Sequence, residues 1–213
     1  MKILIIVLSY NDSGGIYSKF YQSQKETWDS ENVDGVQTLY LFGDNKTNEI
    51  VDDKILVDVV ENGTNICGYK TLKAFDLIKN FDFDFVFRTN SSSYVDKKKL
   101  INFITDKNKH NHYSGFLGEH NGIIFASGSG FFISKDLINL VLDNSDIWNH
   151  ELIDDVAIAD VLKKHKIFPT ENPRLDVHSL NNLPNNHFHY RLKTGDRNID
   201  IQNMYNIFNL QKI

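Results

Sequence analysis

Phe85-Val86-Phe87-Arg88-Thr89-Asn90-Ser91-Ser92-Ser93-Tyr94-Val95-Asp96 is the stretch whose reading decides the fold. Apolar residues occupy both parities up to Phe87, and a run of small polar residues follows at once. A strand that is apolar on both faces is covered on both sides, which is the mark of a parallel sheet in an α/β domain. In open α/β sheets ligands bind beyond the carboxyl ends of the strands. The segment from Arg88 to Ser93 is therefore expected at a ligand edge.

Working outward, Lys2 to Leu8 reads as a first strand, ending in the polar turn Ser9-Tyr10-Asn11-Asp12-Ser13-Gly14-Gly15. A helix is expected from Tyr17 to Trp28, strands at Val36 to Leu41 (closed by Phe42-Gly43-Asp44-Asn45) and Lys54 to Val60, and a helix from Lys70 to Lys79. Another helix spans Lys97 to Thr105. Short strands follow at Tyr113 to Leu117, Gly122 to Ala126 and Phe131 to Ser134, with helices at Lys135 to Leu142 and Asp154 to His165. The last segment reads as an extended wrap closing in a short helix, Ile199 to Phe208. Alternating strand and helix over the first 105 residues is the doubly wound pattern of an α/β fold.

The chain has 213 residues, which suits one domain: a nucleotide-binding half over 1–105, and an acceptor half with its wrap over 106–213. A net charge of −5 argues against bulk nucleic-acid binding but leaves room for a local basic pocket. With a single cysteine, Cys67, no disulfide framework can form, and a reducing, cytoplasmic setting is expected. The apolar run Ile3 to Leu8 is too short for a membrane span or a signal core. Acceptor triplets at Asn11, Asn45, Asn62 and Asn90 carry little meaning without secretion.

The segment from Arg88 also resembles the β-1,3-galactosyltransferase and Fringe-like group of GT-A glycosyltransferases, whose chain there reads Lys-x-Asp-Asp-Asp-x-Phe-Val with a Leu following. Arg88 stands for the Lys, Tyr94-Val95 for Phe-Val and Leu100 for the Leu; Asn90, Ser91 and Ser92 replace the aspartates. Further likenesses run in the same order. They are Gln24 to Trp28, Asn65 through Lys70-Thr71, the glycine-rich 126–134, and Ile153-Asp154-Asp155-Val156. The resemblance implies a GT-A, Rossmann-like α/β/α sandwich with a mainly parallel mixed sheet. It implies transfer, with inversion, from a nucleotide-sugar donor, uridine-linked, to a glycan hydroxyl. The group's familiar members carry a membrane anchor, so a soluble bacterial or viral enzyme, or an excised domain, is expected here.

Asp155, or else Asp154, is the expected general base, because deprotonating an acceptor hydroxyl needs a carboxylate opposite the leaving diphosphate. Donor contacts are expected from Ser9, Tyr10, Asn11, Arg88, Asn90, Ser92, Gly128, Ser129 and Gly130. Asn90 and Ser92 equally suit a helix-capping turn. Asp82 and Asp84 form a literal Asp-x-Asp, but they open the strand that Asn90 closes, and at about 3.3 Å per residue they sit roughly 20 Å from the ligand edge. Neutral side chains hold a hard divalent cation poorly. Two routes to the donor's charge remain: a manganese or magnesium ion on Asp154, Asp155 and His189, or the tail cations Arg191, Lys193 and Arg197. The tail cluster is otherwise a solvated face. A degenerate domain that binds a sugar nucleotide or glycan without turnover, and an unrelated nucleotide-binding α/β enzyme, are the rival readings.

Overall fold

The structure is a computed structural model that describes residues 1–43, 45–61, 66–181 and 183–211. Asp44, Asn62 and Asn65, assigned above to a turn and two motifs, lie outside the described residues.

Among the described residues an eight-stranded sheet runs in the order β3-β4-β2-β1-β5-β8-β7-β9. Its strands are β1 (Ile3–Leu8), β2 (Val36–Phe42), β3 (Glu49–Val51), β4 (Lys54–Leu56), β5 (Phe85–Asn90), β7 (Tyr113–His120), β8 (Ile123–Ser134) and β9 (Thr170–Glu171). Strands β4, β2, β1, β5, β7 and β9 run one way; β3 and β8 run against them. The register sets Ile3 beside Phe85 and Leu8 beside Asn90, so β1 and β5 end together. A second sheet, β10-β11-β6, joins Leu175–Val177, His189–Leu192 and Ser93–Val95.

Two apolar layers cover the main sheet. On one face Leu4, Ile6, Val86, Phe131 and Ile133 pack under α2 (Ile66–Ile78), α4 (Lys135–Asp143) and α5 (Asp154–Lys164). On the other, Ile3, Ile5, Phe85, Phe87 and Phe132 pack under α1 (Ile16–Glu26), α3 (Lys97–Ile104), α6 (Arg197–Gln211) and β11. The result is an α/β/α sandwich with a mainly parallel mixed sheet. Alternation along β5 places Phe85 and Phe87 on the second face and Val86, hence Arg88, on the first. Local chemistry starts the helices: the Asp12 carboxylate accepts the Tyr17 and Ser18 amides at α1 (2.6 and 2.9 Å), and Asp96 accepts that of Lys99 at α3 (2.9 Å).

Several expectations shift. The strand expected over 54–60 shortens to β4, Lys54–Leu56, which pairs with β3 in a hairpin. Helix α1 ends at Glu26, and Trp28 sits in a separate 3-10 turn. Helix α2 starts at Ile66 rather than Lys70. The terminal helix has 15 residues, longer than expected. The two strands expected over 122–134 are one strand of 12 residues: β7 pairs with it at 123–126 and 131–133 and β5 from Gly130 onward, while 127–129 pair with neither. The β7 pairing jumps from Gly115–Phe131 to Leu117–Ala126, so 127–130 bulge outward opposite Phe116.

Phe87 is 1% exposed and meets Phe132, Phe188 and His189 with ring centroids 4.7, 5.9 and 5.4 Å away. Phe87→Ala should cost about 3–5 kcal/mol in urea unfolding, while Asp82→Ala, at an exposed strand start, should stay within about 0.5 kcal/mol.

Candidate active site

The carboxyl ends of β1 and β5 open onto a cavity of ≈ 480 Å³, whose walls include Ser9, Tyr10, Tyr17, Cys67, Lys70 and Asn90. Ser91, Ser92 and Arg197 complete the rim nearest the C-terminal strap. Next to it lies a recess of ≈ 260 Å³ whose walls include Asn90, Ser92, Arg191, Lys193, Arg197 and the acid Asp200. Asn90, Ser92 and Arg197 belong to both walls.

The cavity floor is held by buried polar contacts. Gln24, from α1, donates to the carbonyls of Ser91 and Ser93 (3.0 and 3.2 Å) and so fixes the polar turn after β5. The Asn90 Oδ1 accepts the Ser92 amide (3.2 Å) and the Ser92 and Ser93 hydroxyls (3.0 and 3.3 Å). On the far side the Lys70 ammonium pairs with Glu61 and donates to the Ser9 carbonyl (2.7 Å). Glu61 also accepts the amides of Asn11 (2.8 Å) and Gly43 (2.5 Å), and its carbonyl takes the Tyr10 hydroxyl (2.9 Å). Burial pulls the Lys70 ammonium below its ordinary value, against the upward pull of Glu61. Tyr10 and Tyr17 stand at the rim as partly exposed rings 5.4 Å apart. The Ser9 hydroxyl is buried and has no hydrogen-bond partner among the described residues.

Arg88 is not in this cavity, contrary to the expected donor contact. Its side chain is buried on the α5 face, where its guanidinium pairs with Asp154 and donates to the Gly128 carbonyl. Thr71 donates to the same Asp154 oxygen (3.0 Å). The strand parity that put Val86 toward α5 carries Arg88 the same way. Asp155, its neighbour at the start of α5, accepts the Gly128 amide (2.6 Å) and that of Val156 (2.9 Å). A Cβ on Gly128 would sit 2.6 Å from an Arg88 nitrogen and 3.0 Å from an Asp155 oxygen, so a side chain there would push the guanidinium aside. Burial first, and then the Asp154 carboxylate, push Asp155 above its ordinary value. Burial and Asp154 also push up the Cys67 thiol, which keeps it protonated and unreactive.

His189 is likewise displaced from its expected role. The ring is 1% exposed, hydrogen-bonds Ser93 Oγ through Nε2 (3.0 Å), and lies against Gly130, where any Cβ would run into it. Burial pushes it down to about 3, so it is neutral. Among the described residues no three of His, Cys, Asp and Glu converge on one point. The donor set does not fit a hard cation either: Asn90 Oδ1 is committed to three donors, the Ser91 hydroxyl faces the Leu8 carbonyl (3.3 Å), and Asp154 is claimed by Arg88.

Asn11 is exposed, and it is its amide that is engaged. Ser129 accepts from Arg174 (2.6 Å), a residue the sequence reading missed. Arg174 also reaches Ser127 (3.1 Å), stacks on Phe116 (3.9 Å) and grips Asp176 (2.7 and 3.3 Å). Opposite charges two apart in Arg174-Leu175-Asp176 share one face of a strand, a spacing that could have flagged the pair. Lys70, Gln24 and Trp28 were noticed only as parts of motifs. Asp82 and Asp84 sit at the amino end of β5, engaged by Lys2 and Lys109. No described helix is long and apolar enough to cross a membrane.

No family model matches the chain, and no curated protein matches it in sequence. Its fold does match a solved structure, that of a glycosyltransferase involved in the glycosylation of the major capsid of PBCV-1. The TM-score is 0.63 at 14% identity, over 96% of this chain and 99% of that one. The chain thus has the Rossmann-like α/β architecture of a GT-A domain.

Two outcomes follow from the buried contacts. Arg88→Met or Asp154→Leu alone should cost about 3–5 kcal/mol by stranding a buried charge, and the double variant should recover most of it. Urea unfolding of the four proteins checks this as a double-mutant cycle. Acid should also destabilise the fold through His189. The unfolded chain takes up a proton below the ordinary 6.5, whereas the folded ring stays neutral until about 3. This contribution is complete above 6.5 and is lost as pH falls through that window. His189→Gln should flatten the decline measured between pH 7 and pH 4.

Proposed function

We propose that this protein is a glycosyltransferase that moves a sugar from a uridine-linked nucleotide donor to a hydroxyl of a glycan acceptor. The observation that carries the reading is the paired cavity at the carboxyl edge of β1 and β5. One compartment is walled by tyrosines, Ser9 and Lys70, the other by Arg191, Lys193 and Arg197, and they share Asn90, Ser92 and Arg197. A nucleoside beside aromatic rings and a diphosphate beside cations is the division a nucleotide sugar requires. The fold it shares with a capsid-modifying glycosyltransferase supports the same reading. The uridine linkage follows from the resemblance of 88–100.

In this reading Asp155 is the general base. It takes the proton as the acceptor O–H bond breaks; the acceptor oxygen bonds to the anomeric carbon, and the sugar–phosphate bond breaks with its electron pair leaving on the diphosphate. Burial beside Asp154 raises Asp155, which makes it a stronger base than an ordinary aspartate. Asp155 itself lines neither compartment; it sits behind Cys67, a wall residue of the larger one, whose thiol its charge helps to raise. The 5% exposure of Asp155 favours a second reading, binding of the nucleotide sugar without turnover.

Nucleoside diphosphate released from a panel of nucleotide sugars, with and without glycan acceptors, separates the two readings. Acceptor-dependent release is expected. Asp155→Asn should lower it by about 10²- to 10⁴-fold with donor affinity unchanged. Tight donor binding with no release from any donor would establish the second reading.

A further inference from the structure

We propose that the recess between β11 and the start of α6 is a diphosphate site that works through fixed cations, with no metal ion. The proposal rests on the glycosyl-transfer reading and names how that site would hold the donor's charge. Arg191, Lys193 and Arg197 line the recess with side-chain exposures of 30%, 51% and 53%, on a chain whose net charge is −5. Their carboxylate partners hold them loosely. Arg191 and Lys193 stand 3.9 and 3.5 Å from Asp176, and Arg197 stands 3.3 Å from Asp200. Asp176 is itself gripped by Arg174 at 2.7 Å. Two carboxylates, Asp176 and the buried Asp200, thus face four cations once Arg174 is counted, and the surplus is positive.

The shape of the site suits a diphosphate. Gly195, at φ +94, allows the turn that brings Lys193 and Arg197 onto one recess. Asn90 uses only its carbonyl oxygen in the polar turn, so its amide nitrogen has no partner among the described residues and can donate to a phosphate oxygen. The Ser9 hydroxyl, without a partner among the described residues, lies buried behind the wall of the adjoining compartment. Arginines fork onto phosphate oxygens with charge-assisted hydrogen bonds. Fixed cations stabilise negative charge as it develops on a leaving diphosphate, the role a divalent ion would otherwise fill. The carboxylates such an ion would need do not converge among the described residues.

Asp176 then acts as a built-in competitor, occupying Arg191 and Lys193 until a diphosphate takes them. Neutralising it should tighten binding, which a merely structural role would not do.

The test is calorimetric titration of the full chain with uridine diphosphate and, separately, with inorganic pyrophosphate, in the presence of a chelator. Both should bind with the chelator present, and more weakly as salt rises. Arg191→Ala and Arg197→Ala should each weaken binding about tenfold. Asp176→Asn should tighten it a fewfold, and Lys2→Ala, at the opposite sheet edge, should change nothing. Loss of binding on chelation, or indifference to both arginine variants in folded protein, would overturn the proposal. Chelator-resistant, Arg191-dependent pyrophosphate binding without turnover of any nucleotide sugar would uphold the anion site and sink the transfer reading. Turnover that needs a metal and ignores Arg191 would do the reverse.

Discussion

The buried contact between Arg88 and Asp154 is the constraint on which the carboxyl edge of the central strands depends. It ties the end of β5 to the start of α5, and the same guanidinium reaches the Gly128 carbonyl of β8, while Thr71 of α2 shares the carboxylate. Four elements from both halves of the chain therefore meet at one pair of charges. A buried ion pair gives little net stability but is costly to break. Its consequence here is positional: Asp155 is the next residue, and its oxygen is fixed by the amide of the same Gly128. The glycine bulge, the carboxylate and the polar turn after β5 cannot move independently.

A second constraint sits across the cavity, where Lys70 and Glu61 knot the loop after β1, the end of β2 and helix α2. Between these two braces the cavity walls carry neutral groups, Ser9, Asn90 and Ser92. Cations come from elsewhere. The small sheet pairs β11 antiparallel to β6, register Arg191 to Ser93, and so carries the strap's charges to the rim of the polar turn. Its alignment depends in turn on the neutral His189 ring, wedged between Ser93 and the bare backbone of Gly130. A polar turn without acids and a cationic strap beside it form one electrostatic arrangement.

The central strand and the polar turn at its carboxyl end were legible in the sequence because an apolar run on both parities, cut off by Asn90-Ser91-Ser92, has few other readings. The placement of Asp82 and Asp84 at the far edge followed from strand length alone. Arg88 was misread for a physical reason: where both faces of a strand are buried, alternation tells which residues share a face but not which face meets the ligand. Glycines at 128 and 130 suggested a break, yet β7 pairing before and after the bulge and β5 pairing from Gly130 onward keep β8 one strand, a tertiary effect that local propensity does not carry. Arg174 and Asp176 were overlooked because their i, i+2 spacing is a signal only if the Asn- and Pro-rich wrap is already known to contain a strand. His189 drew attention by residue type, while its burial is set by Phe87 and Gly130, distant in sequence.

A crystal structure of the protein grown with uridine diphosphate and manganese tests the account most directly. The account predicts the diphosphate between Asn90 and Ser92 on one side and Arg191, Lys193 and Arg197 on the other, with no ion bridging it to the protein. A manganese ion joining the diphosphate to Asp154 or Asp155, with Arg88 released from its pair, would contradict it.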